Sequence, residues 1–326
     1  MIRSKLAVIV IVTIVLAAGA GFVVLKPSTP AGPGTGPGGQ DNIPSGGQPA
    51  SGSTLAWSPS ESSHFGVDGF ETVNHTLQSV SSAQLESNYQ WEAQGIVSAG
   101  IGWNRTLSPM GGQFRWEDIE KNKGTYDWTV PDRFVRVVQE QGIQLLVLVH
   151  PYAAWDQPTK NNFNYNKPND MDSFKTFITA MVERYDNDGT SDMTGLKYPI
   201  KYYEIGNEPE GPSFGDSPGT YNDFMDTVKA AYDAAKAAYP SVKIVIGGAS
   251  PAYNTISTSM ADTMLDNFWK GAFNRSNVSS YFDVFNFHFF VGQYTQDIKY
   301  YLDYWKGLLS AYGLSGKDIW LTETGT

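Results

Sequence analysis

Gln144-Leu-Leu-Val-Leu-Val-His150 is a run of apolar residues that ends in a polar one. Because successive side chains of a strand point to opposite faces, an apolar run without alternation predicts a strand that is buried on both sides. Such strands are typical of parallel sheets with both faces covered. The stretch therefore predicts a parallel sheet whose polar side chains gather at the edge where the strands end.

Other short runs rich in β-branched or aromatic residues alternate with longer helical patterns, as in repeated strand–helix units. The predicted strands are His64–Val67, Gly102–Thr106, Gln144–His150, Ile200–Gly206, Lys243–Gly247, Val284–His288 and Ile319–Thr322. The predicted helices cover about 82–98, 131–141, 171–186, 219–239, 258–271 and 297–312. We expect a TIM (β/α)8 barrel. An open doubly wound sheet is the alternative, but no Gly-x-Gly-x-x-Gly or phosphate-cradling loop follows any predicted strand.

The N-terminal region, residues 1–26, combines Arg3 and Lys5 with an apolar run of 20 residues from Leu6 to Leu25. That length suffices to cross a bilayer, and the preceding positive charges place the rest of the chain outside the cytoplasm. Ala18-Gly19-Ala20 also fits a signal-peptidase site. We therefore expect a membrane anchor or a signal peptide, with the anchor favoured, and an extracytoplasmic, membrane-anchored or secreted protein.

Residues 27–56 are almost entirely Gly, Pro, Ser, Thr, Ala and Gln, a composition that predicts a semi-extended stalk. Residues 57–326 then form the predicted barrel domain. Seven strands are counted, and Thr326 ends the chain three residues after Glu323. We expect a barrel truncated after its seventh strand, with two strand edges left unpaired.

Composition excludes several classes of function. The net charge is −10, so no basic surplus exists to neutralise a nucleic-acid backbone. With no cysteine, the chain has neither thiolate nucleophiles nor sulfur-ligated zinc, and its four histidines contain no His-x-x-x-His pair. A metal site or another cofactor is not expected, and the membrane is expected as a partner through the N-terminal segment alone.

Two predicted strands end beside a glutamate, in Tyr203-Glu-Ile-Gly-Asn-Glu208-Pro209 and in Trp320-Leu-Thr-Glu323-Thr-Gly325. Barrel enzymes place their chemistry at these strand ends. Two carboxylates brought together there can cleave a glycosidic bond, one protonating the leaving oxygen and the other attacking the anomeric carbon. Taken singly, a glutamate at a strand end is more often a solvated or salt-bridged group.

These segments resemble the retaining glycoside hydrolases of clan A, whose acid/base and nucleophile glutamates follow strands four and seven of the barrel. The resemblance is greatest to families 39 and 5. It extends over about residues 64–326 and rests on Glu204-Ile-Gly-Asn207-Glu208-Pro209, Phe287-His288-Phe289, Trp320-Leu-Thr-Glu323-Thr-Gly and Arg115-Trp-Glu-Asp-Ile-Glu-x-x-x-Gly124-x-Tyr-x-Trp128.

The resemblance implies Glu208 as the acid/base and Glu323 as the nucleophile, with Asn207 on the sugar 2-hydroxyl. It also implies Arg105 against the nucleophile and His288 beside it, with a surface ion pair and a core histidine as their alternatives.

His150 and Trp155 are expected to bind substrate, although a core histidine and loop packing explain them equally well. Glu204 is expected to pair with a cation inside the barrel, and Glu210 to lie on a loop surface.

One departure from the clan pattern is visible. The usual His-x-Tyr of strand six is His288-Phe289-Phe290 here, so a hydroxyl that contacts the nucleophile is missing unless Tyr294 replaces it. We expect a retaining glycosidase acting on β-linked extracellular poly- or oligosaccharides. A non-catalytic surface carbohydrate-binding protein on the same barrel is the alternative.

Overall fold

The computed structural model describes residues 10–12, 65–68, 81–106, 113–158, 167–213, 220–250, 267–290 and 297–325. The predicted stalk, Tyr294 and residues 258–266 of the fifth predicted helix lie outside these ranges. Within the described ranges no helix is both long and apolar enough to cross a membrane.

Seven parallel strands follow one another around the barrel, as the sequence predicts, and each pairs with the next in chain order. A further strand near the N-terminus, Val10–Val12, is numbered β1. The seven are then β2 Phe65–Asp68, β3 Trp103–Arg105, β4 Gln144–Val149, β5 Tyr202–Ile205, β6 Lys243–Ala249, β7 Val284–Phe290 and β8 Asp318–Gly325. All six residues of β4 are buried, which confirms a strand covered on both faces.

The first strand, β1, comprises Val10–Val12 and lies between β2 and β8. It is parallel to both, pairing Val10 with Phe65 on one side and with Leu321 on the other. The expectation of two unpaired edges is therefore wrong, because part of the apolar N-terminal run occupies the gap and closes the ring. Val10–Val12 are the residues of the predicted anchor that the structure describes.

The helices alternate with the strands as expected. They are α1 Ser82–Ser98, α2 Trp116–Ile119, α3 Thr129–Glu140, α4 Met171–Arg184, α5 Thr220–Ala238, α6 267–273 and α7 Ile298–Ala311. Three of them begin at a side-chain cap, in which Ser81, Asp170 and Asp297 accept a hydrogen bond from a backbone N–H of the first turn. On α5, the buried Phe224, Met225 and Val228 confirm the predicted core face.

The barrel interior is layered. Its lower layer is an apolar cluster of Trp103, Leu146, Val245, Val284 and Trp320, with Tyr202 packed against it. The rings of Tyr202 and Trp320 lie 4.8 Å apart, and Trp103 meets Trp320 edge-on at 5.7 Å.

Side chains two residues further along a strand point to the same side one layer higher. The next layer up therefore contains Arg105, Glu204, Asn286 and Thr322, all buried. The apolar floor excludes water from beneath this polar layer, on which the candidate site is built.

Candidate active site

Glu204 connects the residues of the polar layer through hydrogen bonds. It accepts two hydrogen bonds from the Arg105 guanidinium, from Nε at 2.6 Å and from Nη2 at 3.1 Å. Asn286 Nδ2 donates to Glu204 at 2.7 Å and to Thr322 Oγ1 at 2.8 Å. The predicted role of Glu204 as an interior partner for a cation is confirmed, and β3, β5, β7 and β8 are tied into one rigid base.

Arg105 carries the connection upward to the barrel mouth. Its Nη1 donates to Glu323 at 2.6 Å and to Asp68 at 3.0 Å, and its Nη2 donates to Asn207 at 2.7 Å. The side chain is fully buried, so the alternative interpretation of Arg105 as a member of a surface ion pair is wrong. Burial alone would lower its pKa, but Glu204, Asp68 and Glu323 outweigh burial and hold the pKa well above the usual value.

Asp68 is a site residue that the sequence reading missed. It ends β2, and its carboxylate shares the Arg105 Nη1 with Glu323. Burial raises the pKa of Asp68 to about 7, with Arg105 opposing and Glu323 adding to the rise. The signal was available, since Asp68 is a polar residue directly after the first predicted strand, His64–Val67, where barrel enzymes place functional groups.

Glu208 lies on the turn that follows β5. Gly206 and Glu208 both have left-handed backbone, with φ of 73° and 46°, a conformation that is uncommon for a non-glycine residue. The N–H of Gly206 donates to Val149 O and that of Glu208 to Gly247 O, both at 2.9 Å. These bonds to the flanking strands β4 and β6 stabilise the turn and point the carboxylate, 16% exposed, toward the barrel axis.

His288 connects the two predicted catalytic carboxylates. Its ring is fully buried on β7, with Nδ1 2.9 Å from Glu208 and Nε2 3.4 Å from Glu323. Burial would lower its pKa, but the Glu323 and Glu208 carboxylates outweigh burial and raise it. One carboxylate oxygen of each glutamate and one ring nitrogen lie within 4.8 Å of one another. The structure thus brings together Glu208, His288 and Glu323, and the hydrogen bonds of Arg105 extend the group to Asn207.

His150 and Trp155 lie on the side of the site formed by residues 115–128. His150 is buried just after β4, where it forms a β-bridge with Arg115. Burial, with Arg115 and Arg105 nearby, lowers its pKa to about 3, so the ring is neutral. Trp155 donates from Nε1 to Glu120 O at 2.8 Å and meets Trp116 edge-on at 5.2 Å. These contacts are those of a loop-packing tryptophan.

Glu210 corrects the sequence reading. It was expected on a loop surface, yet it is 4% exposed and accepts a hydrogen bond from the Ser250 N–H. The left-handed backbone at Glu208 reverses the chain, so that Glu210 faces β6 rather than solvent. Burial raises the pKa of Glu210 to about 8, and the neighbouring Glu208 carboxylate adds to the rise.

Among the residues that the structure describes, two groups of side chains have spacings that a divalent cation could use. One is Glu208, His288 and Glu323 at the site itself, and the other is Asp186, Asp188 and Asp192 in the loop after α4. In that loop, the N–H groups of Asn187 and Gly189 already donate to the Asp192 carboxylate. Both carboxylate oxygens of Asp192 thus already accept hydrogen bonds within the loop, and the barrel site has the pairing of carboxylates that acid–base chemistry requires.

Comparison with known proteins agrees with this geometry. The model of the cellulase family, glycosyl hydrolase family 5, matches residues 96–326. No curated protein matches the chain.

Solved structures that resemble it include a family 39 glycoside hydrolase from Bacteroides cellulosilyticus, 18% identical over 64% of this chain and 36% of the other, with a TM-score of 0.45. A family 39 β-xylosidase from Caulobacter crescentus is 16% identical over 73% and 50%, with a TM-score of 0.48. An endo-1,4-β-mannanase from Rhizomucor miehei is 14% identical over 77% and 83%, with a TM-score of 0.46.

The chain spans 36 to 48% of the length of the first three structures it resembles. The family match covers well over half of this chain and includes both glutamates at the barrel mouth, Glu208 and Glu323. The chain therefore belongs to the cellulase family, glycosyl hydrolase family 5.

Proposed function

We propose that the protein cleaves β-glycosidic bonds with retention of configuration, with Glu208 as acid/base and Glu323 as nucleophile. The observation that carries this proposal is the spacing of the two carboxylates, whose facing oxygens lie within 4.8 Å. Retaining glycosidases separate the two groups by about 5 to 5.5 Å, whereas inverting enzymes leave about 6.5 to 9.5 Å for a water molecule. The spacing supports direct attack by Glu323.

In the first step, a carboxylate oxygen of Glu323 bonds to the anomeric carbon as the bond to the leaving oxygen breaks. Glu208 gives its proton to that oxygen, so the aglycone leaves as a neutral alcohol. The guanidinium of Arg105 donates a hydrogen bond to Glu323 at 2.6 Å and holds the nucleophile in place. Asn207, held by Arg105, is placed to bond the sugar 2-hydroxyl.

In the second step, Glu208, now ionised, accepts a proton from water as the water oxygen attacks the anomeric carbon. The bond to Glu323 breaks, and its carboxylate is restored beside Arg105. Esterification of Glu323 between the two steps removes a negative charge from beside Glu208. Loss of that charge favours the ionised form of Glu208, which is the form that can accept the proton from water.

The substrate is proposed to be a β-linked extracellular poly- or oligosaccharide. The cellulase description of the matching family makes β-glucans the first substrates to test. The barrel and its carboxylates are common to enzymes of many sugars, and sugar preference is decided by loops.

The test is the configuration of the first product. Proton NMR of the reaction on an aryl β-glycoside should show the β-anomer before mutarotation, and the α-anomer would contradict retention. Glu323→Gln keeps the shape of the side chain and should abolish turnover, whereas Glu140→Gln, an exposed residue at the end of α3, should leave it unchanged. Binding of the glycan without release by the wild-type protein would favour the carbohydrate-binding alternative.

An extracytoplasmic location is proposed from Arg3, Lys5 and the apolar run of 20 residues that follows. Residues that pair with β2 and β8 cannot at the same time span a bilayer, so the closed barrel and the anchored chain are alternative states of Val10–Val12. Fractionation of cells that express the chain distinguishes them. Full-length protein in the membrane fraction supports the anchor, and full-length protein in the cytosol would contradict it.

A further inference from the structure

Glu210 is a buried carboxyl group that the proposed reaction does not use. It lies two residues after Glu208 and is 4% exposed. One carboxylate oxygen accepts a hydrogen bond from the Ser250 N–H. The other, Oε2, is buried and has no hydrogen-bond partner among the residues that the structure describes. Burial of a polar group that lacks hydrogen bonds costs free energy, so the surroundings of Glu210 need an explanation.

The strand that receives Glu210 is itself distorted. The register of β6 against β7 shifts between Ile246 and Ala249. Gly247 and Gly248 lie in this shift with left-handed backbone, φ of +33° and +47°. Such a bulge turns backbone groups out of the regular ladder and aims them elsewhere. Here the Gly247 carbonyl is aimed at the acid/base turn, because it accepts the N–H of Glu208 at 2.9 Å.

The turn that carries Glu208 is therefore held at two points, one on β6 and one on Ser250, the residue directly after β6. One is the bond from the Glu208 N–H to Gly247 O, and the other is the bond from the Ser250 N–H to Glu210. Glu208 lies between them with an uncommon left-handed backbone. A turn of this kind persists where surrounding contacts hold it.

We propose that Glu210 is a positioning residue, which clamps the Asn207–Glu210 turn onto β6 so that the Glu208 carboxyl group stays against His288 Nδ1. The proposal rests on the acid/base role proposed for Glu208. Loss of the clamp lets the turn relax and moves the Glu208 carboxyl group away from the leaving oxygen. Displacement of a reacting group by about 1 Å can slow an enzyme about 100-fold.

The charge state of Glu210 suits this role. Burial and the Glu208 charge raise the pKa of Glu210, whereas hydrogen bonds and His288 oppose the rise. The resulting pKa is about 8. At neutral pH the group is then uncharged, so it holds the turn without placing a second negative charge beside His288. Glutamine, which is also uncharged and offers the same acceptor to Ser250, should replace it.

The first test compares leaving groups. Glu210→Met keeps the side-chain volume but removes the acceptor, and Glu210→Gln keeps the acceptor. On aryl β-glycosides with poor leaving groups, Glu210→Met should lower kcat/KM about 10- to 100-fold, with a smaller loss on activated ones, because general acid catalysis contributes about 10²- to 10⁴-fold. Glu210→Gln should restore the wild-type pattern. Equal losses on both substrate classes, or equal effects of the two variants, would overturn the proposal.

Glu208→Gln, measured alongside, separates this inference from the function it rests on. Its loss should also be greatest on poor leaving groups. If Glu208→Gln lacks that pattern, the acid/base assignment fails. If Glu208→Gln has it and Glu210→Met does not, the clamp fails while the assignment stands.

A second test needs no turnover. The chain has four histidines, so imidazole NMR spectra are simple, and the His288 signal is identified by its loss in His288→Asn. His288 faces Glu208, Glu323 and Arg105, and the Glu208 contact helps to raise its pKa. Glu208→Gln and Glu210→Met should both lower the pKa of His288, whereas Glu210→Gln should not. An unchanged titration in folded Glu210→Met would overturn the proposal.

Discussion

Asp68 and Glu323 accept hydrogen bonds from the same nitrogen, Nη1 of Arg105, at 3.0 and 2.6 Å. The guanidinium also pairs with Glu204, so one fixed positive charge faces three carboxyl groups. A single cation cannot fully compensate three anions of which one is fully buried and two are largely buried. The high pKa of Asp68 resolves the imbalance, because Asp68 stays protonated up to about pH 7 and leaves the charge of Arg105 to the other two.

Arg105→Lys should therefore damage both stability and activity. Lysine keeps the charge but lacks the planar fork that reaches Glu204, Glu323 and Asn207 together. Breaking a buried ion pair typically costs about 3 to 5 kcal/mol. We expect a loss of about 3 kcal/mol in the free energy of unfolding, measured by denaturant titration, and a fall in kcat/KM of about 100-fold or more.

The control for this change is Arg136→Lys. Arg136 is 42% exposed and pairs with Glu86 on the protein surface, where such a pair contributes about 0 to 1 kcal/mol. Arg136→Lys should leave both measurements near the wild type. If the two lysine variants behave alike, the buried network does not have the importance assigned to it.

Asp68→Asn should change how stability depends on pH. The folded protein keeps the Asp68 proton up to about pH 7, whereas the unfolded chain releases it near the usual pKa of 3.8. Between these values the folded state binds more protons, so the contribution of Asp68 to unfolding free energy falls as pH rises. Asparagine does not titrate. Relative to wild type, Asp68→Asn should gain stability from pH 4 to pH 7, by at most about 1.4 kcal/mol per pH unit.

Denaturant titrations at several pH values measure this difference. Glu210 also titrates in the folded protein but is common to both proteins, so its contribution cancels. Asp172→Asn, whose side chain is 94% exposed, is the matched control and should run nearly parallel to wild type. A constant difference between Asp68→Asn and wild type across the range would show that folding does not raise the pKa of Asp68.

The sequence predicted the strand ends better than the side chains around them. Glu208 and Glu323 could be paired in advance because parallel strands end at one edge of a barrel, whatever the details of packing. Glu204 could be placed inside by its spacing along the strand. Glu210 could not be placed, because its burial depends on a left-handed residue at Glu208 that no local preference indicates.

Closure of the ring was also beyond the sequence. Pairing of Val10 with Phe65 and Leu321 joins residues far apart in the chain, and an apolar run predicts burial without specifying a partner. Likewise, the predicted strand ends at Gly247, and the close approach of Gly248 to the His288 ring is visible only in the structure.

Gly248→Ala tests that contact. A Cβ at position 248 would lie 2.3 Å from His288 Nε2, and the backbone there has φ of +47°. The ring is buried and fixed by Glu208, so it cannot move aside without losing that contact. Overpacking costs about 1 to 3 kcal/mol, and alanine in left-handed backbone adds about 1 to 2 kcal/mol. We expect a lower free energy of unfolding and a strongly reduced kcat.

Gly307→Ala is its control. Gly307 is an exposed residue inside α7, and a Cβ there would meet nothing within 4 Å. Replacing a glycine inside a helix by alanine stabilises by about 0.5 to 1 kcal/mol, so thermal unfolding should shift upward with activity unchanged. If Gly248→Ala is tolerated as well as Gly307→Ala, close contact with His288 is not required for function.

Phe290→Tyr should raise kcat. It supplies the hydroxyl that the resemblance to clan A leads one to expect two residues after His288 of β7. Phe290 pairs with Gly325 across β7 and β8 just as His288 pairs with Glu323, so a hydroxyl at position 290 is directed to the mouth near the nucleophile. A hydrogen bond to a charged group contributes about 1.5 to 3 kcal/mol, which corresponds to about 10- to 100-fold in rate.

Phe289→Tyr is the matched control, because Phe289 is buried beside Tyr301 with ring centroids 5.9 Å apart, and a hydroxyl there gains no access to Glu323. We expect kcat on an aryl β-glycoside to rise in Phe290→Tyr and not in Phe289→Tyr. A rise in neither variant would mean that the nucleophile is already fully held by Arg105 and His288.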